Sequence, residues 1–238
     1  TKINAQTALL WAIKCGLYAD EAHLQHLKDE LDREVSNEDR LIRPNSAEDT
    51  LAVGFLGVNL ILPVLTDAGA PDTAYNLLMQ DEVPSWLGTV KNGATTNWER
   101  WDSYTTENGF GSAGMNSFNH FSYGCVNEWM YEYMIGIKKL ESAPGFKAIH
   151  LQPVIDTEGR ITYADGSYES PYGRIESGWT ADGGELATYS AVIPANTSAT
   201  LYLPVDESAV EGFADLPTVT YLGMEEHNGV NTAKFDIL

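Results

Sequence analysis

Ten residues, Gly93 to Asp102 (GATTNWERWD), set one carboxylate, Glu99, between two tryptophans, Trp98 and Trp101, with Arg100 beside it. A carboxylate can serve as a general acid or base, and indole faces pack well against the C–H faces of a sugar ring. The pattern points to a carbohydrate-processing cleft. The plainer alternative is a pair of core tryptophans next to a solvated Glu–Arg pair, because clustered carboxylates mark functional sites only as a tendency. Two neighbouring segments carry the same residue types: Asp81 to Gly88 (DEVPSWLG) adds Trp86 behind a proline, and Gly109 to His120 (GFGSAGMNSFNH) is rich in glycine and asparagine and ends in His120. Loops of this composition between apolar helices are where binding residues concentrate. Arg100, if turned inward, would set a positive charge against Glu99 and favour a base over an acid.

The elements that must position these loops are helical. From Ile3 to Leu140 apolar residues recur at helical spacing. Leu24, Leu27, Leu31 and Val35 step by three, four and four behind Asp20 and Glu21, acids suited to the positive end of a helix dipole. Ile3 to Leu17 reads as another helix, stopping near Gly16. Phe55 to Leu65 is apolar on nearly every side and reads as buried all round, and Pro71 opens a short helix through Met79. After the glycine-rich loop, Phe118, Phe121, Cys125, Trp129, Tyr133 and Ile137 form one core stripe, widened by Val126, Met130 and Met134. Asn116 or Ser117 is the expected N-cap of that helix. His120 then falls in or near its first turn, where a neutral imidazole can exchange a hydrogen bond with a bound hydroxyl; the alternative is a histidine satisfied by a backbone carbonyl.

Beyond Ala143-Pro144-Gly145 the period changes. Short β-branched and aromatic runs follow at Ile149 to Val154, Arg160 to Tyr163, Gly173 to Trp179, Leu186 to Ile193, Thr200 to Leu203, Val219 to Leu222 and Lys234 to Leu238. Turn clusters such as Asp182-Gly183-Gly184 and Asn228-Gly229 separate them, so an antiparallel β-sandwich is expected, with Trp179, Tyr168 and Tyr172 in its core. Asn196-Thr197-Ser198 fits a glycosylation pattern but reads as a turn. Helices first and strands second imply two domains, residues 1–141 and 142–238.

Composition narrows the function. The 238 residues are 43% hydrophobic and carry 34 acidic against 14 basic side chains, a net charge of −20. Nucleic acid and anionic membranes would repel such a chain, whereas a neutral substrate would not. Cys15 and Cys125 are too few for a disulfide framework, and each is expected to pack as a small hydrophobe in a helix. The run from Val58 to Leu65, interrupted by Asn59 and Pro63, falls well short of the roughly 18 residues of a membrane span. His23 and His26 lie three apart on a charged helix face without a suitably spaced third ligand, so no metal site is expected. The chain starts at Thr1 with no charged-then-apolar leader, which reads as no signal peptide and as a piece of something longer. Its compartment, cytoplasmic or secreted, stays open.

The GATTNWERWD run, with SWL at Ser85, GFLG at Gly54 and MNSFNHFSYG from Met115 to Gly124, closely resembles glycoside hydrolase family 78, the bacterial α-L-rhamnosidases. APGFKAIHLQP at Ala143 and SYESPYGRIESGW at Ser167 are similar to the same family, so the resemblance runs in order over nearly the whole chain. It implies an α + β chain in two domains: residues 1–141 as the second part of an (α/α)6 helical barrel, and 142–238 as a C-terminal antiparallel β-sandwich. It also implies inverting hydrolysis of terminal α-L-rhamnosyl bonds without a cofactor. Glu99 would be the general base that activates water, His120 a sugar contact, and Trp86, Trp98 and Trp101 members of the substrate-binding motifs.

An inverting pair needs a second, protonated carboxyl roughly 6.5–9.5 Å from the base. The family's acidic, arginine-containing motif for that acid has no match in this chain. The acid is therefore expected from a missing segment, and the 238 residues alone are expected to be inactive. The expected partners are a rhamnosylated glycoside or polysaccharide, and either the missing N-terminal portion of the enzyme or an oligomer partner covering the open barrel side, including Phe55 to Leu65. Two rival readings are a glucoamylase-like or trehalase-like inverting hydrolase and a non-catalytic carbohydrate-binding module. The second is weakened by the tryptophans, five of which lie before residue 130.

Overall fold

Residues 5–212 and 217–238 are described by a computed structural model, in which the chain divides into two compact units, Thr1–Val126 and Asn127–Leu238. The first unit holds helices α1 (Gln6–Lys14), α2 (Glu21–Ser36), α3 (Val58–Asp67), α4 (Pro71–Met79) and α5 (Trp86–Lys91). Asp20 caps α2 by accepting the His23 N–H at 2.8 Å, and Asn37 ends the helix in the left-handed conformation. The predicted stripe deepens along α2: Leu24 and Leu27 are half-buried, Leu31 and Val35 fully buried. Glu34 is buried beside them and is compensated by Arg43 at 3.1 Å and Arg33 at 3.2 Å, as a buried charge requires.

Residue 3, where the first helix was expected to begin, lies outside the described residues. Gly16 ends that helix at φ +66°, and Cys15 is exposed at its C-cap instead of packed. The α4 boundaries follow Pro71 as expected. Helix α3 corrects another expectation. Its apolar side chains are buried inside the first unit by packing against α1, α2 and α4, so no outside helix is needed to cover them. The exposed apolar residues are those ahead of it, above all Leu56, which is 74% accessible.

The long helix expected after the glycine-rich loop does not form. Residues 116–121 are irregular; Ser122–Cys125 is a tight 3-10 turn, α6 spans only Val126–Trp129, and Met130–Met134 is a wide π-type turn. The reason lies in backbone partners. The N–H of His120 donates to Asn97 O and the carbonyl of Ser117 accepts from Glu99 N–H, both at 2.8 Å, which commits this segment to another loop. Neither expected cap acts as one: Asn116 Nδ2 donates to Ser103 O at 3.3 Å, and Ser117 Oγ accepts the Asn119 N–H at 3.1 Å. Phe121, placed on the stripe by period alone, is 85% accessible, while its neighbour Tyr123 is buried. A small hairpin, β1 (Tyr104–Thr105) with β2 (Gly109–Phe110), completes the first unit.

The second unit contains β3 (Ile137–Lys138), β4 (Ala148–Leu151), β5 (Tyr163–Ser170), β6 (Gly173–Asp182), β7 (Glu185–Val192), β8 (Ser198–Leu203), β9 (Val219–His227) and β10 (Val230–Ile237). They form two sheets, in the orders β3-β4-β8-β10-β9 and β5-β6-β7. Alternate residues of the larger sheet, such as Ile149, Leu201 and Phe235, share one apolar core with Ile175, Leu186 and Tyr189 of the smaller, the signature of a sandwich. Strands β4 and β8 run parallel, which corrects the all-antiparallel expectation. A parallel pair needs a crossover connection, and here the crossover is the whole three-stranded sheet.

Both expected hairpin turns are present, with Gly183, Gly184, Asn228 and Gly229 at positive φ. At Gly184 a side chain is impossible, since a Cβ would sit 1.9 Å from Thr157 O. The run at Arg160 is a lead-in instead of a strand: Arg160 folds back on Asp156 and β5 starts at Tyr163. Trp179 is core, donating Nε1–H to Met134 O at 2.7 Å, but Tyr168 and Tyr172 are exposed and stand outside it. Asn196, at φ +62°, does form a turn, closed by Thr197 Oγ1 donating to Pro194 O at 2.6 Å.

Candidate active site

Residues 96–103 and 116–120 are sewn together, and the seam holds the candidate base. Glu99 is tied to Ser117 twice: its N–H donates to Ser117 O, and its Oε2 accepts the Ser117 N–H, each at 2.8 Å. A hydrogen bond to an ionised carboxylate is charge-assisted and short, which fixes the side chain as well as the backbone. Among the described residues, Oε1 has no hydrogen-bond donor. Thr96 Oγ1 donates to Phe118 O, and His120 N–H to Asn97 O, extending the seam.

Arg100 does not turn inward. Its guanidinium forks onto Asp102, with Nε to Oδ1 at 3.1 Å and Nη2 to Oδ2 at 3.2 Å, in an exposed pair. The cause is the turn that follows Glu99: buried Ser103 donates Oγ–H to Arg100 O at 3.0 Å, which brings the side chains of residues 100 and 102 together. The negative form of Glu99 is thus met by a backbone amide where the sequence suggested a cation.

The three tryptophans have different environments. Trp98 is only 6% accessible and meets Tyr104 and Phe118 edge-on, with ring centroids 6.5 and 5.3 Å away. Trp86, in the first turn of α5, is 8% accessible; Ser85 caps that turn by accepting the Gly88 N–H, and Trp86 Nε1 donates to Tyr123 O at 2.9 Å. Trp101 is half-buried, lies face to face with Tyr123 at 3.7 Å and 9°, and meets Trp86 edge-on at 5.5 Å. Glu99 is therefore not sandwiched between two open indole faces.

His120 is half-buried, its imidazole stacked between Phe55 (4.8 Å, 17°) and Phe121 (5.2 Å, 13°). Nδ1 accepts the Ser122 N–H at 3.4 Å, which favours the tautomer with the proton on Nε2 and leaves that nitrogen as a donor. Tyr123 was not singled out by sequence, because the helical period passed over it to Phe121. Burial, then the negative charges of Asp102 and Glu99 against an opposing Arg100, push its phenol above the ordinary tyrosine value, so it stays neutral. Among the described residues no group of His, Cys, Asp and Glu is placed to hold a metal ion, and no helix is long and apolar enough to cross a membrane. His23 and His26 are exposed on α2.

The helical part, whose loops gather a carboxylate, an imidazole and aromatic rings, and the two-sheet part that follows it match two different domain models. Residues 1–134 match the bacterial alpha-L-rhamnosidase 6 hairpin glycosidase domain and residues 136–213 the bacterial alpha-L-rhamnosidase C-terminal domain. The chain belongs to the bacterial α-L-rhamnosidase family.

Its curated relatives include an α-L-rhamnosidase of Alteromonas sp. (strain LOR), 41% identical over 167 residues, which are 69% of this chain and 17% of the relative. Another, from Formosa agariphila, is 36% identical over 203 residues, 85% of this chain and 20% of the relative. Among solved structures, the Streptomyces avermitilis α-L-rhamnosidase complexed with L-rhamnose has a TM-score of 0.77 at 32% identity, over 98% of this chain and 21% of that one. The native enzyme of Aspergillus terreus has a TM-score of 0.74 at 28% identity, over 98% and 24% respectively. The chain thus spans about a fifth of the length of these relatives.

Proposed function

We propose that these residues form the C-terminal portion of an inverting α-L-rhamnosidase that removes terminal, non-reducing α-L-rhamnosyl groups. In this proposal the helical unit is the second part of an (α/α)6 barrel and the two sheets are its C-terminal sandwich. The two domains of this proposal are the expected ones, residues 1–141 and 142–238. Glu99 is the general base. It takes a proton from water on Oε1 while that water attacks the anomeric carbon from the face opposite the leaving group. The glycosidic bond breaks, and a general acid protonates the departing oxygen, giving rhamnose of inverted configuration.

The acid comes from a part of the longer enzyme that the similarity of this chain does not span. His120 donates from Nε2 to a sugar hydroxyl. Trp101 offers its accessible part to the apolar side of the 6-deoxy sugar, and Trp86 and Trp98 support the cleft from beneath. The rhamnoside substrate rests on the names of the relatives, and catalysis by this proposal uses no cofactor.

The observation that carries the base assignment is the Ser117 N–H on Glu99 Oε2, which orients one carboxylate oxygen and leaves the other open to a water molecule. In the native polypeptide that contains this chain, Glu99→Gln should lower kcat on an aryl α-L-rhamnoside by about 10²–10⁴-fold, the usual span for acid–base groups, with rhamnose affinity nearly unchanged. An undiminished rate would exclude Glu99 as the base. Aryl glucosides assayed in parallel separate this proposal from a glucoamylase-like or trehalase-like specificity.

A further inference from the structure

A continuous ladder of rings joins the two functional ends of the site. Trp101, two residues from Glu99, stacks on Tyr123 at 3.7 Å; Tyr123 meets Phe55 at 5.5 Å; and Phe55 stacks on His120 at 4.8 Å. Tyr123 is the middle rung. Its own backbone carbonyl also receives Trp86 Nε1–H, so one residue touches Trp86, Trp101 and Phe55. The turn that carries it, Ser122–Cys125, is pressed against the base loop: a Cβ added to Gly124 would lie 3.0 Å from Asn97 Nδ2. On the side of Trp101 the Glu99 loop is held by Tyr123 face to face and by Trp86 edge-on, while Arg100 faces away to Asp102.

We propose that Tyr123 is a positioning residue of the hydrolytic site, its ring holding Trp101, and through it the turn that carries Glu99, in register with His120 on Phe55. The proposal rests on Glu99 being the base. The ring acts and the hydroxyl does not, since face-to-face packing at this distance depends on the flat surface. A carboxylate base tolerates little displacement from the attacking water, and a misplacement of about 1 Å can cost on the order of 100-fold in rate.

The test uses the native polypeptide and an aryl α-L-rhamnoside, with kcat, KM and melting temperature measured for Tyr123→Met, Tyr123→Phe, Glu99→Gln and the double variant Glu99→Gln/Tyr123→Met. Methionine fills the space without a ring, and Tyr123→Leu replaces it if that protein does not fold. The expected result is a kcat loss of about tenfold or more for Tyr123→Met with KM changed less than about threefold, and recovery to within about threefold of wild type for Tyr123→Phe. The double variant should be no more than about twofold slower than Glu99→Gln, because a residue acting through the base loses its effect once the base is gone. A wild-type kcat for Tyr123→Met, a phenylalanine variant as slow as the methionine one, or losses that multiply in the double variant would each overturn the Tyr123 role alone. Full turnover in Glu99→Gln would overturn both assignments together.

Discussion

His120 shows how much a single residue depends on partners far away in sequence. Its ring plane is set by Phe55, sixty-five positions earlier, and by Phe121 next to it, while Ser122 N–H occupies Nδ1. Only Nε2 is then placed to donate. One neutral hydrogen bond is worth about 0.5–1.5 kcal/mol, so His120→Ala should weaken inhibition by L-rhamnose by about 3- to 10-fold. Competitive inhibition measured on the native polypeptide checks this, and an unaltered inhibition constant would remove His120 from the sugar contacts. Glu99 teaches a related lesson. Its sequence neighbour Arg100 is a poor guide to its charge partner, since adjacent side chains in a turn can point to opposite sides, and the group that meets the carboxylate is the amide of Ser117.

At the scale of elements, the lead-in to β5 is set by one carboxylate. Asp156 accepts from Arg160 N–H at 2.8 Å, Arg160 Nη2 at 2.8 Å and Ile161 N–H at 3.1 Å, with its side chain sealed from solvent. Burial alone would raise its pKa; the Arg160 guanidinium and the two backbone amides outweigh that and hold it below the ordinary value of 3.8. Because the folded value is depressed, the stabilisation is complete above the unfolded value and is lost as pH falls through the folded one. The second unit should therefore lose stability on acidification below about pH 4, and Asp156→Asn should be less stable near neutrality and flatten that acid dependence. Thermal melts across pH 2–7 would show this, and parallel curves for variant and wild type would contradict it. The same cluster explains why residues 160–162 did not join the strand that begins at Tyr163: the Arg160 and Ile161 N–H groups were already claimed by Asp156.

For the molecule as a whole, the proposal assigns this chain one half of an inverting pair. Purified alone, the 238 residues should not hydrolyse an aryl α-L-rhamnoside measurably, because a base without its acid partner leaves the departing oxygen unprotonated. Robust turnover by the isolated chain would sink the idea that the acid lies elsewhere. The two units also answer different demands. The helical one presents its irregular loops with exposed rings such as Phe110 and Phe121, while the sheet unit buries its apolar residues in a shared core between two sheets.

Local signals were enough to mark α2 and α4, since period, cap and proline all act within a turn or two of the residues that carry them. They also marked the hairpin at Asn228-Gly229 and the motif around Glu99. The composition and order of motifs carried the family. What sequence could not decide was competition for backbone hydrogen bonds. Residues 117–121 have a helical apolar period, yet their amides and carbonyls bond to residues 96–99, so the loop stays open and Phe121 points to solvent. Likewise β4 and β8 run parallel because strands between them form a sheet of their own, a pairing no local pattern encodes. The sequence by itself marked the residues to which the proposal assigns chemistry; tertiary structure alone decided that Glu99 meets an amide, that Trp86 and Trp98 are buried, and that Tyr123 stacks on Trp101.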